Sequence, residues 1–506
     1  MNLRRFFYNR MSQYKVQKIF KGWTDCQRRR AERSNVKILL INPFGSNWIE
    51  GRRDDTETAV RLAPLGILFI ATYLMKKGFD VDIYNCRGSA DKGPADLISK
   101  VLSLKPDIIG FTSTTSSFPG AYHLVTEIKN VLPEAKIVFG GVHVSALREK
   151  ILEGYPLIDY LVTGEGEIAM TELVEGKDPA TIQGVLSRNA QGIQSGGFRT
   201  DLCELDSLPF PAYHKLEGFP KYYAPPLFNY PKAPSASIMS SRGCPYQCSY
   251  CDRSVFRRSF RFNSAEYLYE HMALLKKDFN VKHIFFYDDL FTFNRGRVEK
   301  LCGLLREKPL QMTFNCSVRV GHADDALLQT LKAAGGWMVS IGMESGDQTL
   351  LDRHKANVTL EQIRDTVRRI QKAGMRAKGL FMMGLPGETE QTIKKTTDFI
   401  EELRLDDMNM TKFTPFPGAP AYQTIRDEGT FDEKWELMNC MNFVFVPKGI
   451  GSKDKMEQLH RQAIKRFYTG HNWMKKFWPL MFKCPDSTFR IIKNLPTFLR
   501  IRSQFE

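Results

Sequence analysis

No run of this chain approaches the roughly 20 consecutive apolar residues that a membrane-spanning helix needs. The longest, residues 65–75 (LGILFIATYLM), reads as a buried helix. The first twenty residues (MNLRRFFYNRMSQYKVQKIF) lack an apolar leader with a small-residue cleavage site, so no secretory signal and a cytoplasmic location are expected. Cysteine is scarce and poorly spread for disulfides. Of ten, three fall within eight residues, while Cys26, Cys86, Cys203, Cys302, Cys316, Cys440 and Cys484 stand singly, which favours one metal site plus inert thiols. Neither a helix-turn-helix nor an RNA-recognition signature is present, so no nucleic-acid partner is expected. The turn NPFGSNW (42–48) has none of the spaced glycines that admit a pyrophosphate, which argues against dinucleotide binding.

What the chain does have is length and an uneven charge. Its 506 residues, 42% of them hydrophobic, suffice for two or three globular domains. The net charge of +16 belongs to the two ends: residues 1–34 carry ten Lys/Arg against two Asp/Glu, residues 452–506 twelve against four, and residues 35–451 balance. Both ends mix bulky aromatics with cations, as in RRFFYNR (4–10) and HNWMKKFWPLMFK (471–483). Segments of that composition suit the face of an anionic membrane, so peripheral association through the basic termini is an expectation, with solvated or packed tails as the alternative.

Apolar strand-like runs alternate with helical ones. Strands are expected at 36–43, 79–85, 107–114, 136–142 and 159–167, with helices at 65–77, 94–104, 120–132 and 145–153 between them. This is the rhythm of right-handed crossovers in a doubly wound, flavodoxin-like parallel sheet. Prolines then cluster over 208–234 in what reads as an extended connection lying across a neighbouring domain. A second series has strands at 237–241, 283–288, 313–318, 338–343, 378–384 and 408–413, with helices in the gaps, and suits a partial barrel of the TIM type. The expected architecture is α/β: a basic segment (1–34), a Rossmann-like domain (35–175), a Pro-rich linker (176–235), a partial (β/α)6 barrel (236–429) and a basic, aromatic-rich helical region (430–506).

The cysteine triplet Cys244, Cys248 and Cys251 has the spacing C-x3-C-x2-C and follows the first barrel strand. Three close thiolates hold three irons of a cubane cluster and leave the fourth iron open to an exogenous ligand. The alternatives are a zinc site short of one ligand, or chance. The run SSRGCPYQCSYC resembles the signature loop of the radical S-adenosylmethionine superfamily. The resemblance implies a 4Fe–4S cluster on the three cysteines, S-adenosylmethionine on the open iron and Tyr250 beside the adenine. FYDDLFTFN (286–294), IGMESG (341–346), GLFMMGLPG (379–387) and TPFPGAPAY (414–422) resemble the cobalamin-linked branch of that superfamily. They imply that Asp288 or Asp289, Arg319, Glu344, Ser345 and the backbone at Gly379 contact S-adenosylmethionine.

Ahead of the barrel, LAPLGILFIATYL (62–74), PDIIGFTSTT (106–115), KIVFGGVHVS (136–145) and LVTGEGE (161–167) resemble the cobalamin-binding domain of the same branch. That implicates Ser113, Thr114, Gly140, Gly141, His143, Gly164 and Glu165 in holding a corrin. The D-x-H-x-x-G that supplies a lower-face cobalt ligand is absent, so His143 is expected to be a supporting or core residue. The resemblance implies an enzyme that generates a 5′-deoxyadenosyl radical and methylates an unactivated carbon of a lipid-like or natural-product substrate, drawing electrons from a reductant such as flavodoxin or ferredoxin. The competing readings are a radical cyclase of the porphyrin-ester type and a non-catalytic cobalamin-binding module.

Overall fold

The computed structural model describes residues 36–45, 61–88, 92–223, 225–355, 357–493 and 495. The N-terminal basic segment therefore lies outside the described residues.

The first sheet is built on β1 (Lys37–Asn42), β2 (Asp80–Asn85), β3 (Ile108–Thr112), β4 (Lys136–Gly140) and β5 (Tyr160–Val162), all parallel, in the order β2-β1-β3-β4-β5. This is the flavodoxin-like order, in which chain direction across the sheet reverses between β1 and β3 and leaves a crevice at their carboxyl ends. The crossover helices are α1 (Leu65–Lys76), α2 (Pro94–Leu104), α3 (Phe118–Val131), and the short α4 (Val142–Leu147) and α5 (Glu149–Gly154); α6 (Gly166–Val174) follows β5. Strand β1 (KILLIN) shows why its sequence is apolar throughout. Ile38 and Leu40 pack with α1 and α6 on one face, while Leu39 and Ile41 pack with α2 and α3 on the other.

The sheet does not stop where the parallel series ends. Strands β6 (Val185–Asn189) and β7 (Gly192–Ser195) add to it antiparallel, within the stretch read from sequence as linker. The remaining connection is tied down: the Tyr213 side chain is buried and its hydroxyl donates to the Ser237 carbonyl at 2.8 Å.

The second sheet takes β8 (Ser235–Ile238), then, after the two-residue pairing of β9 (Ser241–Arg242) with β10 (Arg261–Phe262), β11 (His283–Phe286), β12 (Thr313–Val318), β13 (Gly336–Glu344), β14 (Arg376–Met383) and β15 (Asp407–Lys412). Six parallel strands stand in sequential order from β8 to β15, as expected of a partial barrel. Helices α7 (Ala265–Phe279), α8 (Arg295–Glu307), α9 (Asp325–Ala333), α10 (Gln348–His354), α11 (Leu360–Lys372) and α12 (Glu390–Leu403) cover its outside. Their starts are written locally: Ser264 accepts from the Tyr267 amide, and Thr359 with Gln362 forms a reciprocal cap. Past β15 come the one-turn α13 (Ile425–Glu428), the ribbon β16 (Gly429–Phe431) with β17 (Phe445–Pro447), and helices α14 (Lys453–Thr469), α15 (His471–Lys483) and α16 (Pro485–Lys493).

One apolar cluster runs from the α1–α6 face of the first sheet into the barrel's helical layer. The two sheets are thus packed together, and the carboxyl ends of β1, β3, β4 and β5 meet the loop that follows β8.

Candidate cofactor site between the two sheets

The cysteine loop is held at its root by a carboxylate. Asp288, just past β11, is buried; its Oδ1 accepts from the amides of Ser240 (2.6 Å) and Ser241 (2.8 Å), and its Oδ2 from the Ser240 hydroxyl. Burial raises its pKa, Arg297 opposes that rise, and Arg297 itself donates to the Ser240 carbonyl at 2.8 Å. Asp288 is therefore a fastener between β8 and β11. Its neighbour Asp289 is exposed on the mouth side and accepts from the Gly243 amide. Of the pair proposed from sequence, Asp289 is the one turned to the site. Gly243 has φ +88°, and a β-carbon there would collide with the Ser259 carbonyl, so glycine is required at the entry to the loop.

Downstream the loop is pinned from three sides. The Ser249 amide donates to the His354 carbonyl (3.0 Å) and its hydroxyl meets His354 Nδ1 at 2.7 Å, while His354 Nε2 reaches the Pro386 carbonyl at 2.8 Å. The Ala421 amide donates to the Ser249 carbonyl at 2.8 Å. Arg253 donates to the Tyr246 carbonyl at 2.6 Å. Cys248 is buried, Cys244 half-buried and Cys251 open to the surface. The Arg319 guanidinium lies 3.8 Å above the Tyr246 ring with Nη1 4.0 Å from the Cys248 sulfur. The Cys248 thiol is drawn downward in pKa, first by a hydrogen bond from the Cys251 thiol and also by Lys355, Tyr250 and Arg319.

These residues fit a cubane cluster. Among the described residues no His, Cys, Asp or Glu trio converges on a single point, as the ligands of one zinc ion do. Three thiols that each bind a different iron need not converge, and two cations stand beside the buried one.

The residues expected to contact S-adenosylmethionine divide. A register irregularity between Gly342 and Glu344 interrupts the pairing of β13 with β14, and Glu344, opposite Phe381, sits there at φ +66°. Its Oε1 accepts from Lys355 Nζ at 2.8 Å, both side chains are buried, and Lys355 lies 3.5 Å from the Tyr250 hydroxyl. Lys355 was not anticipated; a lysine just past a short helix carries no signal that distinguishes it from a solvated one. Ser345 is fully buried and bonded to Thr396 at 3.2 Å, with the Asp347 amide donating to its hydroxyl, so it serves the β13–α10 turn. Gly379 answers to packing: a β-carbon there would stand 2.6 Å from Leu405 and Phe381 on the helical side of the sheet.

Across the interface lies a cavity of about 760 Å³ of empty space, part of it open to solvent. It is lined from the first sheet by Gly140, Gly141, Gly164 and Glu165, four of the residues singled out in the sequence, and also by Gly110, Gly166 and Glu167. The cysteine loop supplies Met239, Arg242, Val255 and Phe256. Gly141 has φ +102° and a β-carbon there would fall 2.6 Å from the Ser113 carbonyl; at Gly110 it would reach Leu40 at 2.8 Å, and at Gly166 Ile70 at 2.7 Å. Glycines cut the walls back on one side while Ile67, Ile70, Val138, Val162 and Met170 make them apolar. A flat, largely apolar group fits such a slot, as the ring system or base of a corrinoid is.

The other residues expected at the corrin form the frame of that slot. Ser113 donates through its amide (2.9 Å) to the Gly140 carbonyl, and Ser145, which sequence reasoning passed over, donates to the Gly141 carbonyl (2.7 Å) and accepts from the Gly164 amide (3.0 Å). Thr114 is exposed and bonded to Ser117 at the start of α3. His143 is fully buried, with Nδ1 3.3 Å from the Thr115 hydroxyl and its ring 4.5 Å from that of Trp435 and 4.7 Å from that of Phe118. Burial pushes its pKa down to about 4, so it is a neutral core imidazole.

Glu165 faces the barrel. It accepts from Arg242 and from Arg261, while Glu167 accepts from the second guanidinium nitrogen of Arg242 at 2.6 Å. Arg242, two residues before Cys244, is buried over the rings of Phe69 (5.3 Å) and Phe256 (5.9 Å). One arginine of the cysteine loop is thus clamped by two carboxylates of the other domain.

Residues 238–400 match the family described as Radical SAM superfamily, and residues 56–174 that described as B12 binding domain. The chain thus carries a radical SAM domain preceded by a B12 binding domain. It is an enzyme whose cofactors are a 4Fe–4S cluster, S-adenosylmethionine and cobalamin. An uncharacterized methyltransferase of Pyrococcus horikoshii is 29% identical over 446 residues, covering 86% of this chain and 92% of that one. The anaerobic magnesium-protoporphyrin IX monomethyl ester cyclase of Rubrivivax gelatinosus is 26% identical, covering 86% and 77%. Among solved structures, the cobalamin-dependent S-adenosylmethionine radical enzyme OxsB, with aqua-cobalamin and S-adenosylmethionine bound, superposes with a TM-score of 0.70 at 16% identity over 94% of this chain and 76% of that one. The shared feature is the fold: a parallel sheet, a partial barrel and a helical C-terminal region. No helix among the described residues is long and apolar enough to cross a membrane.

Proposed function

We propose that this radical SAM enzyme methylates an unactivated carbon of a small-molecule substrate. The observation that carries the reading is the clamp of Arg242 by Glu165 and Glu167, which sets the cysteine loop against the glycine-lined cavity. When bound, the cluster supplies the electron that cleaves S-adenosylmethionine to methionine and a 5′-deoxyadenosyl radical, and cobalamin supplies the methyl group. Cys244, Cys248 and Cys251 would hold the cluster. Lys355, fixed by Glu344, would present a positive charge to the methionine carboxylate, and Asp289 and Arg319 would line the same mouth. Tyr250 would flank adenine. Gly140, Gly141, Gly164 and Gly110 would take the corrinoid, with Ser113, Thr114, His143 and Ser145 framing them. Glu165 would act through Arg242, as a positioning residue. A flavodoxin- or ferredoxin-type reductant would supply electrons.

The substrate class we assign is lipid-like or a natural product, in keeping with a relative such as the hopanoid C-3 methylase of Methylococcus capsulatus, 24% identical over 77% of this chain and 72% of that one. The likeness to a porphyrin-ester cyclase supports a second reading, radical cyclisation without methyl transfer. Anaerobically reconstituted, cobalamin-loaded protein given S-adenosylmethionine and a strong reductant separates them by mass spectrometry. Methyl transfer requires both 5′-deoxyadenosine and S-adenosylhomocysteine; deoxyadenosine alone favours the cyclase; neither product refutes the radical reading.

A further inference from the structure

The last two helices carry an apolar face that the rest of the described chain leaves uncovered. Along α15 and α16 the side chains of Trp478, Phe482, Phe489 and Ile492 are 59%, 84%, 64% and 66% exposed. With the exposed Pro485 their spacing is 4, 3, 4 and 3 residues, which is one stripe of a helical surface continued across the break at Cys484. The opposite stripe faces inward: Leu480, Cys484 and Ser487 are buried, and Phe477 packs on Phe228 at 5.3 Å. The two helices are fastened there by polar contacts. The Ser487 hydroxyl accepts from the Phe228 amide at 3.0 Å, Arg490 donates to the Pro225 carbonyl at 3.0 Å, and Asp486 accepts from the Tyr230 hydroxyl.

The uncovered stripe is rimmed by Lys475, Lys483 and Lys493, all exposed and without an ion pair among the described residues. The one acid between His471 and Lys493 is Asp486, which is turned inward to Tyr230. An apolar stripe of aromatic residues edged by unpaired cations has the composition of a helix that lies in a membrane interface. A second copy of this chain suits it poorly, since a two-fold contact would set lysine against lysine.

We propose that α15 and α16 dock on an anionic lipid surface, with Trp478, Phe482, Phe489 and Ile492 entering the headgroup region and Lys475, Lys483 and Lys493 meeting its negative charge. Geometry then fixes which way the enzyme faces. The two helices are fastened at the amino ends of the barrel strands: Lys476 donates to the Arg404 carbonyl at 2.7 Å, ahead of β15, and Arg376, at the head of β14, donates to the Phe228 carbonyl that α15 and α16 pack beside. The cysteine triplet follows the carboxyl end of β8. Docking therefore holds the mouth of the site toward water, a tether rather than a route for lipid into the barrel.

The test is flotation of the full-length holoenzyme with phosphatidylcholine vesicles, with and without phosphatidylglycerol. The expected result is binding that needs the anionic lipid. Each cation near such a surface counts for roughly fivefold in partitioning, so the combined change Lys475→Gln, Lys483→Gln and Lys493→Gln should lower it about a hundredfold. The combined change Trp478→Ala, Phe482→Ala, Phe489→Ala and Ile492→Ala should abolish it, with 5′-deoxyadenosine formation unchanged in both as evidence of an intact body. No flotation with either vesicle overturns the proposal, as does flotation that both variants retain. Dimerisation of the unaltered chain that the alanine variant abolishes, without lipid binding, overturns it in favour of a second copy.

Discussion

Arg242 and Glu165 form a buried ion pair that joins the loop of the cysteine triplet to the end of β5, 77 residues earlier in the chain. Glu165 also accepts from Arg261, and Arg242 also reaches Glu167. Two cations and two carboxylates thus balance where the two domains touch. Charges taken from water in this way hold only as a set, because each removed member strands another.

Replacing Arg242 by alanine strands Glu167 and leaves Glu165 with Arg261 alone. The expected cost is about 3–5 kcal/mol, together with loss of both cluster and cobalamin from the purified protein. Lysine at the same position keeps the charge but lacks the fork that spans two carboxylates, and should recover part of the loss. Thermal unfolding, with iron content and corrinoid absorbance, measures both effects. An alanine variant as stable and as well loaded as the parent would refute the clamp.

Lys355 and Glu344 lie on opposite sides of a 2.8 Å contact beside Tyr250. Lys355→Met should leave the cysteines able to take up iron and sulfide while slowing 5′-deoxyadenosine formation by about 10²-fold, the scale of losing one oriented charged donor. Glu344→Gln should have a smaller effect in the same direction. Cluster content from the visible spectrum and product from chromatography separate loading from turnover. Unchanged turnover in Lys355→Met would remove Lys355 from the site.

His271 is fully buried, stacked at 4.8 Å on Phe210, and neither ring nitrogen has a partner among the described residues. Burial lowers its pKa to about 3, below the 6.5 of the unfolded chain. The unfolded state therefore binds a proton that the native state refuses. Stability is fully present above pH 6.5 and is lost as pH falls from there toward 3. His271→Phe should stabilise the protein by about 1–3 kcal/mol at pH 8 by removing unpaired polar atoms. The gain should grow by about 2 kcal/mol at pH 5, because the unfolded imidazole no longer competes for protons. Denaturant unfolding at the two pH values is the measurement, and an equal effect at both would contradict it.

The strands of both sheets were legible because parallel strands buried on two faces are written as unbroken apolar runs, as in KILLIN and HIFF. Strands β6 and β7 were not. They are short, half exposed and polar (VLSRN, GIQS), and the two-residue turn between them, Ala190-Gln191, lacks the Asn–Gly pair that marks a hairpin most plainly. At the site, cysteine spacing was legible from covalent chemistry alone. The direction a side chain takes was not: Asp288 and Asp289 are identical in sequence terms, and β11 turns one toward Ser240 and the other to the mouth. Gly379 shows the same limit, since a glycine records that space is short without saying whether a ligand or Leu405 fills it.

Trp435 packs edge-on against His143 and Phe118 and lies 6.3 Å from the ring of Tyr155. Its partners belong to the first domain, yet it enters the chain more than 300 residues after the first of them, Phe118. During synthesis, the β1–β7 sheet and then the whole partial barrel emerge before this lid can be laid. A contact of such sequence separation forms slowly and late. The first domain therefore cannot complete its own aromatic core: His143, Phe118 and Tyr155 keep an uncovered edge until the segment around Trp435 has been made and has folded back.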